Sequence, residues 1–278
     1  MELNRQEEIN IPIQNELSQS FQIENSNSKF YSEYMEKLGI TKLGWFMFIL
    51  ASLCQWIWGS ETCFISINLD FLGKNNGISQ KIISLCICIL YSMMGVGAAF
   101  VGFLCKSLGR VHTLNLTLFI YVIATICCSI FFSPLKFYPI FIISCFSNIA
   151  IGIFNIVVLN LMSEFLPIKN RSLIIMINSG FYNVGNLFTI LLDNYMQDLN
   201  NFNSKNWKII NFTTTVPGII SIIIIFLWGT ESPLYLLNKN NLQQGFTVIE
   251  YMSGNFLTDE DKLKIIDSIK SKKQYKLS

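Results

Sequence analysis

A single carboxylate interrupts the first long apolar run of the chain. Glu61 is the only charged residue between Gly44 and Leu69. An ionisable side chain inside hydrocarbon is costly and is a functional candidate by default. If the run is a helix, Glu61 sits ~25 Å from its start at ~1.5 Å per residue. On that helix Gln55 and Thr62 share a face, and Glu61 lies beside Trp58 at its flank. The chemistry on offer is a carboxylate that binds a cation or accepts a proton in a cavity. A carboxylate held by helix–helix hydrogen bonds, or one reaching the outer surface, fits the same position. A later apolar run carries Ser144, Asn148, Gly152 and Asn155 at i, i+4, i+8 and i+11, and the next carries Ser179, Asn183, Asn186 and Asp193 at comparable spacing. Such stripes face a bundle interior or a cavity, as contacts between helices or as solute ligands. Trp56, Trp58 and Trp228 are aromatic faces able to stack on a cation, although the place of Trp228 at the end of a run fits an interfacial anchor.

The elements that must carry these groups are set by composition. Hydrophobic residues make up 51% of the 278, and charged residues only 14%, far below the roughly 25% of a soluble domain. The apolar residues fall in runs of about 20, long enough to cross ~30 Å of hydrocarbon. A soluble enzyme, a disordered adaptor and a nucleic-acid binder are excluded by this pattern. Six spans are predicted, at 44–69, 82–105, 113–132, 137–163, 172–195 and 208–229. They form an all-α membrane domain over 43–229, between an N-terminal segment (1–42) and a tail (230–278). In the N-terminal segment Phe30, Tyr31, Tyr34, Met35 and Leu38 recur at helical spacing, which predicts a short amphipathic helix; no apolar core of a cleavable signal precedes the first span. The tail shows Leu263, Ile265, Ile266 and Ile269 at helical spacing among lysines.

All eight cysteines lie in or beside the first four runs. Cys86 and Cys88, and the pair Cys127 and Cys128, read as small apolar residues within helices; no disulfide framework, metal site or cofactor is expected. Six spans place both termini on one side with the second and fourth connections. That side carries fifteen basic residues against five opposite, so both termini are expected in the cytosol.

Three cytosolic segments carry a family resemblance. Gly102-x-Leu104-x-x-x-x-Gly109-Arg110, with Lys106 inside it, resembles the G-x-L-x-D-x-x-G-R loop of major facilitator superfamily transporters. Glu164-x-x-Pro167-x-x-x-Arg171 resembles the E-x-x-P-x-x-x-R loop of their sugar-porter and organic-ion branches. Glu231-Ser232-Pro233 after the sixth span is similar to their P-E-S-P-R segment. The stretch Tyr34 to Lys42 resembles the lead-in to span 1 of synaptic-vesicle-protein-like and organic-ion transporters. In that branch an acidic residue sits where Glu61 falls, and a nearby acidic position is Trp58 here. Departures are plain. Lys106 replaces an Asp, and Ser144 stands where sugar porters carry an Arg. The usual cytosolic charge network therefore cannot form in its ordinary way, which leaves Lys106 as one open partner for Glu164.

The resemblance implies one half of a twelve-span fold, two three-helix repeats of opposite topology. Spans 1 and 4 would face the central cavity and spans 3 and 6 would lie outermost. It implies secondary, alternating-access transport of a small organic solute, an organic ion or a sugar, with Glu61, Gln55, Trp58, Asn148, Asn155, Asn183 and Asn186 on the solute or ion pathway. Gly102, Lys106, Gly109, Arg110, Glu164, Pro167, Arg171, Glu231, Ser232 and Pro233 would form the gating loops. Six helices leave one cavity wall open, so activity is expected from an assembly of at least twelve spans, a homodimer or a docked complementary half. The alternative is a non-transporting half that binds a relative or has no activity. Rival six-span classes fail on residues. A rhomboid-type protease needs a histidine in a late span, and the one histidine is His112. Mitochondrial-carrier repeats and a pore loop are absent. Small residues at Gly95, Ala98, Ala99 and Gly102 predict a close approach between the second span and a neighbour.

Overall fold

The computed structural model describes residues 36–131, 137–198, 204–239, 241–254 and 256–266. All regular structure among them is helical. Six helices are long and apolar enough to cross a membrane: α1 (Lys42–Asn75), α2 (Gln80–Leu108), α3 (Arg110–Phe131), α4 (Phe137–Phe165), α5 (Ile168–Asp198) and α6 (Ser204–Trp228). Two shorter ones follow, α7 (Pro233–Asn238) and α8 (Leu242–Ser253). Helices α1, α2 and α5 overrun their predicted spans at both ends. Hydropathy drops where polar residues begin, yet the backbone keeps its hydrogen bonds as a helix into the polar boundary. Gly109 is the sole residue between α2 and α3 and has φ +98°, a conformation that L side chains resist. The expected amphipathic helix before α1 lies outside the described residues apart from 36–38, which are helical.

The chain folds as two compact units. The larger, Lys42–Phe165 with Asn170–Ser232, is the membrane bundle. Its interior is filled by α1 and α4, while large apolar side chains such as Phe103, Met176 and Phe226 point outward, as lipid contact requires. The two three-helix repeats are visible in how glycines let backbones meet. A Cβ at Gly97 of α2 would strike the Ile149 carbonyl of α4, and one at Gly152 of α4 would strike the Met94 carbonyl of α2. The crossing of α1 and α5 repeats this, with Gly59 against the Tyr182 carbonyl and Gly185 against the Trp56 carbonyl. Exchanging the first repeat with the second turns one crossing into the other. The close approach of α2 therefore runs through Gly97. Gly95 and Gly102 meet open space, and Ala99 is exposed, which corrects the expected small-residue stripe. The stripe follows from spacing alone, and spacing does not say which side of α2 a neighbour occupies.

The smaller unit includes α7, α8 and the helical residues 259–266. Leu237, Ile249, Leu257 and Ile265 form its apolar cluster. Glu250 ties it together, accepting a hydrogen bond from the Leu257 amide at 3.2 Å and pairing with Lys262 at 3.5 Å. Ile269, expected on the same helical face, lies outside the described residues.

Candidate functional site

Three polar groups stand out in the membrane bundle. The first is at the end where α2 meets α3. The chain leaving α6 brings Glu231 to the N-terminus of α3, where its carboxylate accepts from the backbone amides of Arg110 at 3.0 Å and Val111 at 3.2 Å. Those amides have no partner within the helix, and the positive end of the helix dipole favours an anion there. The Arg110 guanidinium pairs with Glu164 at the end of α4 and donates to Ser232 Oγ at 3.2 Å. Ser232 in turn donates to Glu164, and His112 Nδ1 lies 3.6 Å from Glu231. The three motif segments thus meet through Arg110, Glu164, Glu231 and Ser232, and Gly109 is the turn that admits them. A charge network does form, with Arg110 as its cation. Lys106 is exposed, and Glu164 is occupied by Arg110, which closes the option of a Lys106–Glu164 pair. Gly102 is also exposed, Pro167 is buried in the turn before α5, Arg171 is half-buried in α5, and Pro233 begins α7.

The second group surrounds Glu61. At ~1.5 Å per residue the side chain is ~28 Å from the Lys42 end of α1 and ~21 Å from the Asn75 end. It is 3% exposed. Ser147 Oγ of α4 donates to it at 3.2 Å and the Tyr121 hydroxyl of α3 at 3.3 Å. The Tyr121 hydroxyl also lies 3.5 Å from the Thr214 carbonyl of α6, near Pro217, which removes a backbone donor from that helix. Glu61 has no basic partner among the described residues. Beside it a cavity runs toward the opposite end of the bundle, lined by Asn68, Thr125, Cys128, Ser144 and Asn211 together with apolar side chains. Its empty volume is about 380 Å³ including the mouth. That figure includes open solvent, and the enclosed part has room for one or two water-sized species.

The third group is on an adjoining flank of α1. Gln55 Nε2 donates to Asn155 Oδ1 at 2.8 Å. The Trp58 ring stands 4.5 Å from that of Tyr182, with its indole N–H on Met94 Sδ at 3.1 Å. Thr62 Oγ1 lies 3.3 Å from the Tyr182 hydroxyl and 3.5 Å from Asn186 Oδ1. Trp58, Asn155, Tyr182 and Asn186 are only half-buried. Of the expected pathway residues, Gln55, Trp58, Asn155 and Asn186 therefore come together, and Glu61 stands apart from them. Asn183 is exposed on α5, and Asn148 turns its amide back onto the Ser144 carbonyl of its own helix at 2.8 Å. The stripe on α4 does several things: Ser144 lines the cavity, Gly152 makes a helix crossing, and Asn155 meets Gln55.

Sequence reasoning missed Ser147, Tyr121 and Asn68. The signal for Tyr121 was present, since Thr113, Thr117, Tyr121 and Thr125 recur every four residues in a strongly apolar run, and all are at most 2% exposed.

A sequence model of the family described as "Sugar (and other) transporter" matches residues 11–278. The chain belongs to the sugar (and other) transporter family. Membership is in a family of transporters, which makes six apolar helices the spans of a multi-pass membrane protein. Solved structures agree on the fold. The MFS (major facilitator superfamily) proton:xylose symporter XylE bound to 6-bromo-6-deoxy-D-glucose superposes with a TM-score of 0.73 at 15% identity, over 83% of this chain and 54% of that one. A partially occluded inward-open xylose transporter XylE from E. coli gives 0.72 at 14% identity, over 84% and 60%. The chain spans a little over half the length of these structures. This member of the sugar (and other) transporter family thus has half of a major-facilitator fold, built as two three-helix repeats.

Proposed function

We propose that the chain moves a small organic solute, of the sugar or organic-ion class, across a membrane by alternating access, as part of an assembly of at least twelve spans. The observation that carries this reading is the half-buried polar face of Trp58, Asn155, Tyr182 and Asn186, with Gln55 buried behind Asn155. These groups lie at membrane depth, where each unsatisfied polar atom costs several kcal/mol in hydrocarbon, so lipid is a poor cover for them. A second six-helix unit, from another copy or a complementary half, would turn the face into a closed cavity of the kind a solute occupies between repeats. The aromatic pair Trp58 and Tyr182 offers a stacking surface, and the amides offer donors and acceptors to hydroxyls. Family membership and the symporter-like fold support the same class of solute. Fifteen basic residues against five support cytosolic termini, which puts the Arg110–Glu164 network on the cytosolic side. Glu61 serves in this reading as the carboxylate that couples a cation to solute movement.

Reconstitution at one chain per vesicle, with the oligomer counted by single-molecule photobleaching, tests the assembly. Uptake of labelled sugar or organic cation is expected only in vesicles showing two or more bleaching steps, or after a complementary half is supplied. Saturable uptake by vesicles with one bleaching step overturns the reading. In active vesicles Glu61→Gln is expected to leave exchange of solute intact and abolish its concentration against a gradient.

A further inference from the structure

The smaller unit shows apolar side chains that its own core does not use. Phe256 is 92% exposed, Tyr251 69% and Leu263 62%. Surface apolar residues scattered singly need no explanation, but these three are gathered round one network. Tyr251 follows Glu250, Phe256 precedes Leu257, and Leu263 follows Lys262. Glu250 itself holds the Leu257 amide and the Lys262 ammonium. Gly254 makes the gathering possible, with φ +70° and its amide closing α8 on the Glu250 carbonyl at 2.9 Å. A second apolar surface belongs to the same unit, which includes residues 36–41. The spacing of Phe30, Tyr31, Tyr34, Met35 and Leu38 predicts a helix with one apolar side, and Ser32, Glu33 and Glu36 fall on the other. The described end of that stretch agrees. Residues 36–38 are helical, Glu36 and Lys37 are exposed, and Leu38 is half-buried. Gly39, with φ +66°, stops the helix as a glycine in that position does. So short an amphipathic helix is marginal in water and takes its stability from packing its apolar side. Charge points to the same pairing. Residues 1–35 carry six glutamates against Arg5 and Lys29, whereas six lysines and one acid, Asp267, fall from Lys262 to Lys276. Leu263 lies between two of those lysines. An anionic lipid surface attracts the lysines but repels the glutamates beside the apolar stripe, so it suits one of the two surfaces and not the other.

We propose that the N-terminal segment of this chain docks on the smaller unit. The apolar side of residues 30–38 covers Tyr251, Phe256 and Leu263, and the glutamates of the segment meet the lysines that begin at Lys262. The mode is that of an amphipathic helix laid on an apolar surface, with charge fixing its direction. The contact joins the chain that enters α1 to the chain that leaves α6. It asks nothing of solute, ion or assembly, so it stands apart from the transport reading.

The native side chains supply the test. A water-soluble carbodiimide joins a carboxylate to a lysine amine only where the two touch, and mass spectrometry of the digested full chain reads which residues are joined. In neutral detergent, and in vesicles of neutral or anionic lipid, links are expected between the glutamates of residues 1–36 and the lysines of residues 262–276. A mixture of isotope-labelled and unlabelled chains is expected to give these links within one chain. Phe256→Asp is expected to lower their yield at least fivefold, and a side chain 92% exposed can be changed without unfolding the unit that bears it. Tyr34→Asp is expected to do the same from the other side of the contact. Absence of these links overturns the proposal. So does a yield indifferent to both substitutions, which would mean a chance encounter of charged tails without the apolar contact. Links found only between labelled and unlabelled chains give the surface to a second copy, and links lost in anionic vesicles give it to lipid; either result overturns docking within the chain.

Discussion

The two acidic clusters of the bundle are opposites in how charge is settled. At one end Glu164 meets Arg110, and Glu231 meets the N-terminus of α3, so each negative charge has a positive counterpart in place. In the middle Glu61 meets hydroxyls alone. A settled network joins the exits of three helices and resists change. An unsettled carboxylate stabilises nothing by being charged, and its state depends on what arrives. The first is a fastener and the second, on the proposed function, a receptor, although both look alike in sequence as acids near motifs or within spans.

The comparison predicts contrary responses to neutralisation. Glu164→Ala takes the carboxylate from the Arg110 guanidinium and is expected to cost ~2–3 kcal/mol. That is below the 3–5 typical of a fully buried pair, because the two side chains retain 23% and 14% exposure. Glu61→Gln keeps the shape and removes a buried charge, and the Tyr121 hydroxyl can turn its proton to the Thr214 carbonyl and accept from the new amide, so stability is expected to hold or rise. Thermal unfolding of the two variants in the same detergent reads the difference. Equal losses of stability would erase the distinction between fastener and receptor.

The helix crossings give a second contrast, of smaller size. Gly152→Ala places a methyl group against the Met94 carbonyl, a backbone atom that cannot swing away. Overpacking of this kind costs ~1–3 kcal/mol. Gly95→Ala on α2 enters open space and is expected to leave stability unchanged or raise it by up to ~1 kcal/mol, as removal of a glycine from a helix interior does. A Tm drop for Gly95→Ala as large as for Gly152→Ala would mean that the outer face of α2 is covered in the measured state.

How much of this is legible depends on the length scale of the signal. Spans are long-range averages, so six apolar runs become six helices, and the motif spacing places Arg110, Glu164 and Glu231 on one end. Partners across helices are not averages. Ser147 lies one turn from Ser144, and its pairing with Glu61 follows from the rotation of α4, which no spacing within α4 reveals. Spacing favours Gly95 and Gly102 over Gly97 for the same reason. Glu61 and Trp58, three residues apart, read as near neighbours on one flank. In the bundle α2 and α5 take Trp58 while α3 and α4 take Glu61, because the faces of a largely buried helix divide among its neighbours.

The smallest effect bears on the fastener itself. Lys106 replaces the Asp of the family loop, and the structure gives the role of cation to Arg110, four residues on. Arg110 does two things at once, pairing with Glu164 through its side chain and donating to Glu231 through its backbone amide. Its Nη1 reaches Glu164 and Ser232 together, fixed in place by a planar group that a flexible lysine ammonium does not reproduce. Lys106 is exposed in the last turn of α2 and makes no ion pair among the described residues. A basic residue there complements the negative end of the α2 dipole by ~0.3–1 kcal/mol at low salt. Lys106→Asp reverses that sign. It is therefore expected to lower stability by under ~1 kcal/mol, with most of the loss removed by raising salt from about 20 to about 500 mM, since exposed charges are screened over such distances. Arg110→Lys is expected to lose more, and the loss should persist in salt. If Lys106→Asp instead costs as much as Arg110→Lys in high salt, Lys106 has a partner in the assembled transporter, and the fastener extends beyond this bundle.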